Sequence, residues 1–158
     1  MTFEDLLDNL AEQFSCDAAE LSKDTSFEDL GVDAEDLVEL AWQLGEATGT
    51  EVEEDRLKQL GTIGEVWNLV RELEEEAEAL KFLQNSVATM RGRIDGLLCI
   101  EIGLNLAGGD YDLIFYAELR DKQALQCFQQ HPLHAAHRER CKDLVTARLC
   151  GDVRVDTN

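Results

Sequence analysis

The sequence has little of what exported, membrane-bound or disulfide-linked proteins need. No run of 18 apolar residues occurs, which argues against a membrane-spanning helix. The five cysteines are odd in number and none forms a C-x-x-C pair, so we expect reduced thiols and no zinc knuckle. The first ten residues are acidic where a secretory signal would be basic and then apolar. Together these features predict a cytoplasmic protein without a membrane partner.

Basic residues are scarce in the first half of the chain. Residues 1–80 hold 4 basic and 24 acidic side chains, a net charge of −20, whereas residues 81–158 hold 10 of each. This shift in charge predicts a domain boundary near residue 80. A phosphate backbone would be repelled by the first half and not attracted by the second, so we expect no nucleic-acid partner. Basic protein surfaces are the expected partners of the acidic half.

The acidic half carries the apolar spacing of four helices. Apolar residues recur at helical spacing over 3–14, and a long loop is predicted over 15–32. Asp33 is placed to cap a second helix whose buried stripe ends at Leu44. A short third helix is predicted over 52–60, and a capping box over 62–65 opens a fourth.

The stretch DLGVDAEDLVEL, residues 29–40, closely resembles the signature of the acyl carrier protein family. In that family an Asp-Ser-Leu triplet begins the second helix, and its serine carries a 4'-phosphopantetheine arm. Here the triplet reads Asp33-Ala34-Glu35. The resemblance implies a four-helix carrier bundle over 1–75 with Ala34 in place of the attachment serine. As written, the sequence therefore predicts no cofactor at this site.

Four carboxylates of the second helix lie largely off its buried stripe: Glu35, Asp36, Glu39 and Glu46. Two interpretations are open, a merely solvated helix face and a docking face for Lys/Arg-rich enzymes that process acyl groups. The family resemblance favours the docking face. Glu35 departs from the family, which has an apolar residue at that position.

The neutral half predicts a mixed α+β order. No Gly or Pro interrupts residues 72–91, so either the fourth helix continues to 91 or two helices meet at a kink near 74–76. Alternating apolar residues predict strands over 98–106 and 111–119. A short helix over 122–130 and another that begins at Pro132 should follow. A closing strand is predicted over 149–155.

This order resembles the stress-responsive A/B barrel family, a dimeric α+β barrel. The resemblance rests on Gly109-Asp110-Tyr111-Asp112-Leu113, on His131-Pro132-Leu133-His134 and on Val153-Arg154-Val155-Asp156. It implies a ferredoxin-like α+β barrel domain over 76–158 that forms a homodimer. The family begins with a strand before its first helix, and none is visible here, so either the sheet is rearranged, or a second chain fills the gap, or the barrel is decayed.

His134 is the candidate catalytic residue. Family members that cyclise polyketides pair the matching histidine with a tyrosine, whose position holds Phe128 here, and phenylalanine cannot donate a proton. His131 in this motif is more often structural. His134, His137 and Cys141 share a helical face at metal-compatible spacing, but no acidic or cysteine cluster joins them, and we expect no metal.

The two resemblances lead to three functional hypotheses. The first is a non-enzymatic docking or scaffold protein, with a degenerate carrier module and a dimerising barrel-like half. The second is an enzyme that binds a small polyketide or acyl metabolite and uses His134 as a base. The third is an acyl carrier for fatty-acid or polyketide synthesis whose serine is mutated in this chain.

Overall fold

The structure is a computed structural model that describes residues 1–107 and 109–154. The chain folds as two units, Met1–Glu78 and Ala79–Asn158. The first unit contains four helices and the first part of a fifth: α1 (Phe3–Phe14), α2 (Phe27–Leu30), α3 (Ala34–Thr48), α4 (Glu54–Leu57) and α5 (Ile63–Ala88).

Side-chain caps begin the longer helices of the first unit. Thr2 and Asp5 form a reciprocal capping box at the start of α1. At the start of α5 the Glu65 carboxylate accepts from the backbone N–H groups of Gly61 and Thr62, at 2.6 and 3.1 Å. These bonds satisfy amides that have no partner within the helix. The capping box that the sequence predicted over 62–65 is confirmed.

Leucine and valine side chains from α1, α3, α4 and α5 form the core of the first unit. They recur at helical spacing, so each amphipathic helix buries one stripe and leaves its charged residues in water. The fully buried members include Leu6, Leu10, Leu40, Leu44, Leu57, Val66, Val70 and Leu73.

Two details of the first unit differ from the sequence prediction. The predicted loop over 15–32 is wrong in part, because it contains a 3₁₀ turn at Ala18–Glu20 and the short helix α2. The Ser26 hydroxyl caps α2 by accepting from Asp29 N at 3.0 Å, and Phe27 N donates to Gly61 O at 2.9 Å. These contacts hold the segment in place. The helix predicted over 52–60 is regular only over Glu54–Leu57.

α5 is one uninterrupted helix of 26 residues. The alternative of two helices with a kink near residues 74–76 is therefore wrong. Because no Gly or Pro occurs within the later part of this helix, nothing in its sequence removes a backbone hydrogen bond or favours a break.

The second unit begins with the last residues of α5 and continues with β1 (Leu97–Leu104), β2 (Leu113–Leu119), α6 (Lys122–Gln130) and α7 (Pro132–Cys141). The strands pair antiparallel, with Ile100 opposite Ala117 and Ile102 opposite Phe115. A second core joins one face of this sheet to the helices through Val87, Met90, Ile94, Ile100 and Phe128. The predicted α+β class, a carrier-like helical bundle followed by an α+β domain, is confirmed.

The closing strand predicted over 149–155 is wrong for the part that the structure describes. Residues 149–154 have no regular secondary structure, and Val155 and Asp156 lie outside the described residues. Within the described ranges, residues 1–107 and 109–154, the sheet consists of the two strands β1 and β2. Alternation in the sequence shows which residues suit a strand, but a strand forms only where another strand offers its backbone. None of the helices in residues 1–107 and 109–154 combines the length and the hydrophobicity that a bilayer span requires.

Candidate functional site

The start of α3 is the position at which the sequence predicted a lost attachment site. Asp33 is its N-cap, and one carboxylate oxygen accepts from Glu35 N at 2.8 Å and from Asp36 N at 3.1 Å. The Asp36 carboxylate accepts in turn from Asp33 N at 2.9 Å. These first-turn amides, which would otherwise attract an external anion, therefore already have an anionic partner.

Ala34 is the first residue of α3, and it is exposed. Its methyl group has no oxygen that could form a phosphodiester. The hydroxyls nearest in sequence have other roles. Ser26 caps α2 and donates to the Asp29 carboxylate at 2.7 Å, while Ser22 lies in a turn with Thr25. The helix start therefore presents a capping carboxylate and a methyl group to solvent.

Five side chains share the solvent side of α3: Glu35, Val38, Glu39, Trp42 and Glu46. Their spacing of i, i+3, i+4, i+7 and i+11 places them on one helical face, opposite the buried stripe. All five are exposed, and Val38 and Trp42 leave 53% and 67% of their surface in water. We call this set the α3 outer face.

The α3 outer face differs from the acidic set that the sequence predicted. Glu35, Glu39 and Glu46 belong to it, but Asp36 is only partly exposed and its carboxylate serves the helix cap. The docking set predicted from the sequence did not include Val38 and Trp42, which the structure exposes. Their spacing could have identified them as part of this face, because Val38 and Trp42 are four residues apart and lie on the same side of the helix as Glu35 and Glu39. The resulting surface combines two apolar side chains with three carboxylates and carries no basic residue.

His134, the predicted catalytic residue, lies on α7 and is partly buried. Its ring lies 4.3 Å from the Phe128 ring between centroids, and its Nδ1 donates to the Gln129 carbonyl at 3.3 Å. Burial lowers the pKa of His134, opposed by that hydrogen bond. Because Nδ1 donates, Nε2 is the nitrogen left to act as a base. The tyrosine position beside it holds Phe128, which is buried and has no proton to transfer.

His137 is the buried titratable residue that sequence reasoning considered only as a metal ligand. It is 6% exposed, and its Nδ1 lies 3.0 Å from the buried Ser86 hydroxyl. Cys141 Sγ lies 3.4 Å from His137 Nε2, and the Phe115 ring stacks on the imidazole. Burial lowers the pKa of His137, and the charges of His134 and Arg140 lower it further. Among the residues the structure describes, no group of three or more His, Cys, Asp or Glu could hold a metal ion.

Comparison with known proteins matches the helical first half and the α+β second half to two different families. Residues 4–70 match the Phosphopantetheine attachment site family, and residues 66–155 match the Stress responsive A/B Barrel Domain family. The chain is 35% identical over 77 residues to an acyl carrier protein of Clostridium acetobutylicum. That alignment covers 48% of this chain and 100% of the relative. The two family matches overlap at residues 66–70, within α5.

Proposed function

The chain belongs to the acyl carrier family through its first half and to the stress-responsive A/B barrel family through its second, and on this premise we propose a non-enzymatic docking protein. Its carrier module holds no phosphopantetheine arm and binds basic surfaces of acyl-processing enzymes through the α3 outer face. Its barrel-like half joins two copies. The observation that carries this proposal is Ala34 at the start of α3, beside first-turn amides already paired with Asp33.

The absence of the arm is supported by the chemistry of position 34. Attachment needs a hydroxyl oxygen that attacks a phosphoanhydride, and alanine has none. Ser26 is held in the cap of α2, so it is not displayed at the start of α3. The residues at this helix start therefore do not fit a covalent phosphopantetheine group, and no step of the proposed function passes through one.

The docking role is supported by the composition of the α3 outer face. Trp42 and Val38 supply apolar area of the kind that is buried at the centre of protein interfaces. The surrounding carboxylates of Glu35, Glu39 and Glu46 select partners with lysine and arginine at matching positions and speed their approach. The five cysteines are free thiols, which supports a reducing compartment such as the cytoplasm.

Dimerisation is supported by the outer face of the sheet. Ile100 and Ala117 lie opposite each other, and both pack in the second core. Because side chains alternate along a strand, the residues next to them in β1 and β2 point to the other face of the sheet. On that other face Ile114 and Tyr116 are 54% and 53% exposed. A two-stranded sheet is only marginally stable alone, and a second copy would cover the apolar area of Ile114 and Tyr116, which lie on this face beside Glu101 and Glu118.

The first test uses an Ala34→Ser variant with coenzyme A and a broad-specificity phosphopantetheinyl transferase, read by intact mass. We expect the wild-type chain to gain no arm under conditions in which a working acyl carrier protein is fully modified. Gain of the arm by Ala34→Ser would show that the surface still recognises carrier enzymes. Modification of the wild-type chain, for example at Ser26, would overturn the proposal.

The second test addresses the α3 outer face with the same transferase as probe. In the Ala34→Ser background, Glu39→Lys with Glu46→Lys should slow modification about tenfold or more, and high salt should reduce the difference. Glu20→Lys with Asp24→Lys makes the same change in net charge at exposed positions outside α3, so this variant is the matched control and should leave the rate nearly unchanged. Equal rates for all three variants would remove the docking role of this face.

A further inference from the structure

A polar cleft of about 400 Å³ lies between α1 and α3 in the first unit. Asn9, Glu12 and Gln13 line it from α1, and Glu39 and Gln43 line it from α3. Their spacing of i, i+3 and i+4 on α1, and of i, i+4 on α3, places each set on one side of its helix. The cleft is therefore lined by two carboxylates and three side-chain amides, and none of these five residues is basic.

Two of the lining side chains have a buried amide oxygen that accepts no hydrogen bond. Gln13 Oε1 and Gln43 Oε1 have no donor among the residues that the structure describes. Their amide nitrogens are already committed, because Gln13 Nε2 donates to Asp36 O at 3.0 Å and Gln43 Nε2 donates to the Glu39 carboxylate at 3.2 Å. Turning either amide over would place its oxygen against another acceptor, so both orientations are fixed. Buried acceptors without a partner are rare in folded proteins, and these two call for a group that binds them.

A calcium ion matches these groups in size, charge and ligand preference. The two amide oxygens leave almost no surface to water. Ca²⁺ approaches its oxygen ligands to about 2.3–2.6 Å, closer than a hydrogen-bonded water oxygen, so it reaches oxygens that water does not. It accepts amide and carboxylate oxygens in irregular arrangements, whereas Mg²⁺ demands a near-ideal octahedron. The carboxylates of Glu12 and Glu39 balance the charge of one divalent ion.

We infer that the cleft between α1 and α3 is a Ca²⁺ site. Its protein ligands are Gln13 Oε1, Gln43 Oε1 and the Glu39 carboxylate oxygen that does not accept from Gln43, with the exposed carboxylate of Glu12 as the second charge. Water completes the coordination shell. The ion joins α1 to α3 and satisfies both buried oxygens. Because amide oxygens supply half of these ligands, the site does not depend on a group of three His, Cys, Asp or Glu residues. It is also independent of the docking role proposed above.

The direct test is calorimetric titration of the full chain with CaCl₂ in about 0.1 M KCl, which screens the general attraction of cations to the acidic half. We expect one saturable ion per chain. Gln13→Leu with Gln43→Leu should raise the dissociation constant about tenfold or more, and these changes nearly preserve side-chain volume and leave the net charge unaltered. Gln59→Leu with Gln123→Leu removes two exposed amides elsewhere, so this variant is the matched control and should bind Ca²⁺ like the wild type. Equal affinity of the wild type and the cleft variant, or no saturable binding by the wild type, would overturn the inference.

A second measurement on the wild-type chain does not depend on how the variants fold. In a ¹⁵N-labelled sample, the side-chain amide resonances of Gln13 and Gln43 should shift with added Ca²⁺ and saturate at one common dissociation constant. The side-chain amides of Gln59 and Gln123 should not shift, because they lie outside the cleft. Saturating shifts confined to backbone amides at the start of α3 would mean that the capping carboxylates hold the ion, and that result would contradict a site in the cleft.

Discussion

Replacing Gly96 with alanine should destabilise the second unit through a single steric contact. Gly96 lies just before β1 with φ of +79°, and a Cβ placed there would lie 2.4 Å from the Cβ of the buried Ala124 on α6. The left-handed backbone costs an alanine about 1–2 kcal/mol. Forcing a methyl group into this packed contact adds about 1–3 kcal/mol. We therefore expect Gly96→Ala to lower the free energy of unfolding by about 2–5 kcal/mol.

Gly92 provides a matched control for the backbone contribution. It also has a positive φ, +67°, but a Cβ there would meet no atom within 4 Å. Gly92→Ala should therefore cost only the backbone contribution of about 1–2 kcal/mol. The difference between the two variants measures the close approach of Gly96 to α6.

Removing the other methyl group should restore part of the stability. In the double variant Gly96→Ala with Ala124→Gly, the atom at 2.4 Å is gone, although glycine within a helix costs about 1 kcal/mol. The double variant should be more stable than the sum of the single changes predicts, with an interaction energy of about 1–3 kcal/mol.

Hydrogen exchange measured by mass spectrometry on peptides from β1 and β2 is the suitable assay, because it reports local opening free energies. Both tryptophans, Trp42 and Trp67, lie in the first unit, so their fluorescence during urea unfolding should hardly change and serves as an internal control. Equal exchange in Gly96→Ala and Gly92→Ala, or no recovery in the double variant, would refute the steric argument.

Three further predictions concern caps and buried polar groups. Asp33→Ala removes the α3 cap and should cost the first unit about 1 kcal/mol by tryptophan-monitored urea unfolding, whereas exposed Asp8→Ala should stay within about 0.5 kcal/mol. Ser86→Ala removes the 3.0 Å partner of buried His137 Nδ1, which then has only Cys141 Sγ at 3.8 Å, and should destabilise the second unit by about 1–3 kcal/mol. Hydrogen exchange measures this, and wild-type exchange rates would contradict it. Because the folded protein lowers the pKa of His137, unfolding takes up a proton below the ordinary histidine pKa. The free energy of unfolding of the second unit should therefore have its full value above about pH 6.5 and decrease as the pH falls through the lower folded pKa. The decrease is at most about 1.4 kcal/mol per pH unit for each proton taken up. A His137→Gln variant should lose that part of the slope, and an unchanged slope would exclude His137 as its source.

Local signals in the sequence were sufficient for most of the helices. The capping box at Thr62 and the N-cap Asp33 act on amides a few residues away, so the pattern alone identifies them. Helical apolar spacing likewise determined which face of α1, α3 and α5 enters the core. The lost hydroxyl at Ala34 was also visible from the sequence, because it depends on the identity of one residue beside a recognisable cap.

Contacts between distant segments decided the rest. The burial of His137 depends on Ser86 and Phe115, which lie far away in the sequence, and the exposure of Trp42 depends on which face of α3 the other helices leave uncovered. The predicted closing strand failed for the same reason. A helix satisfies its backbone within one segment, whereas a strand needs the backbone of another segment. Alternation in residues 149–155 therefore could not show whether they would reach a strand of the sheet.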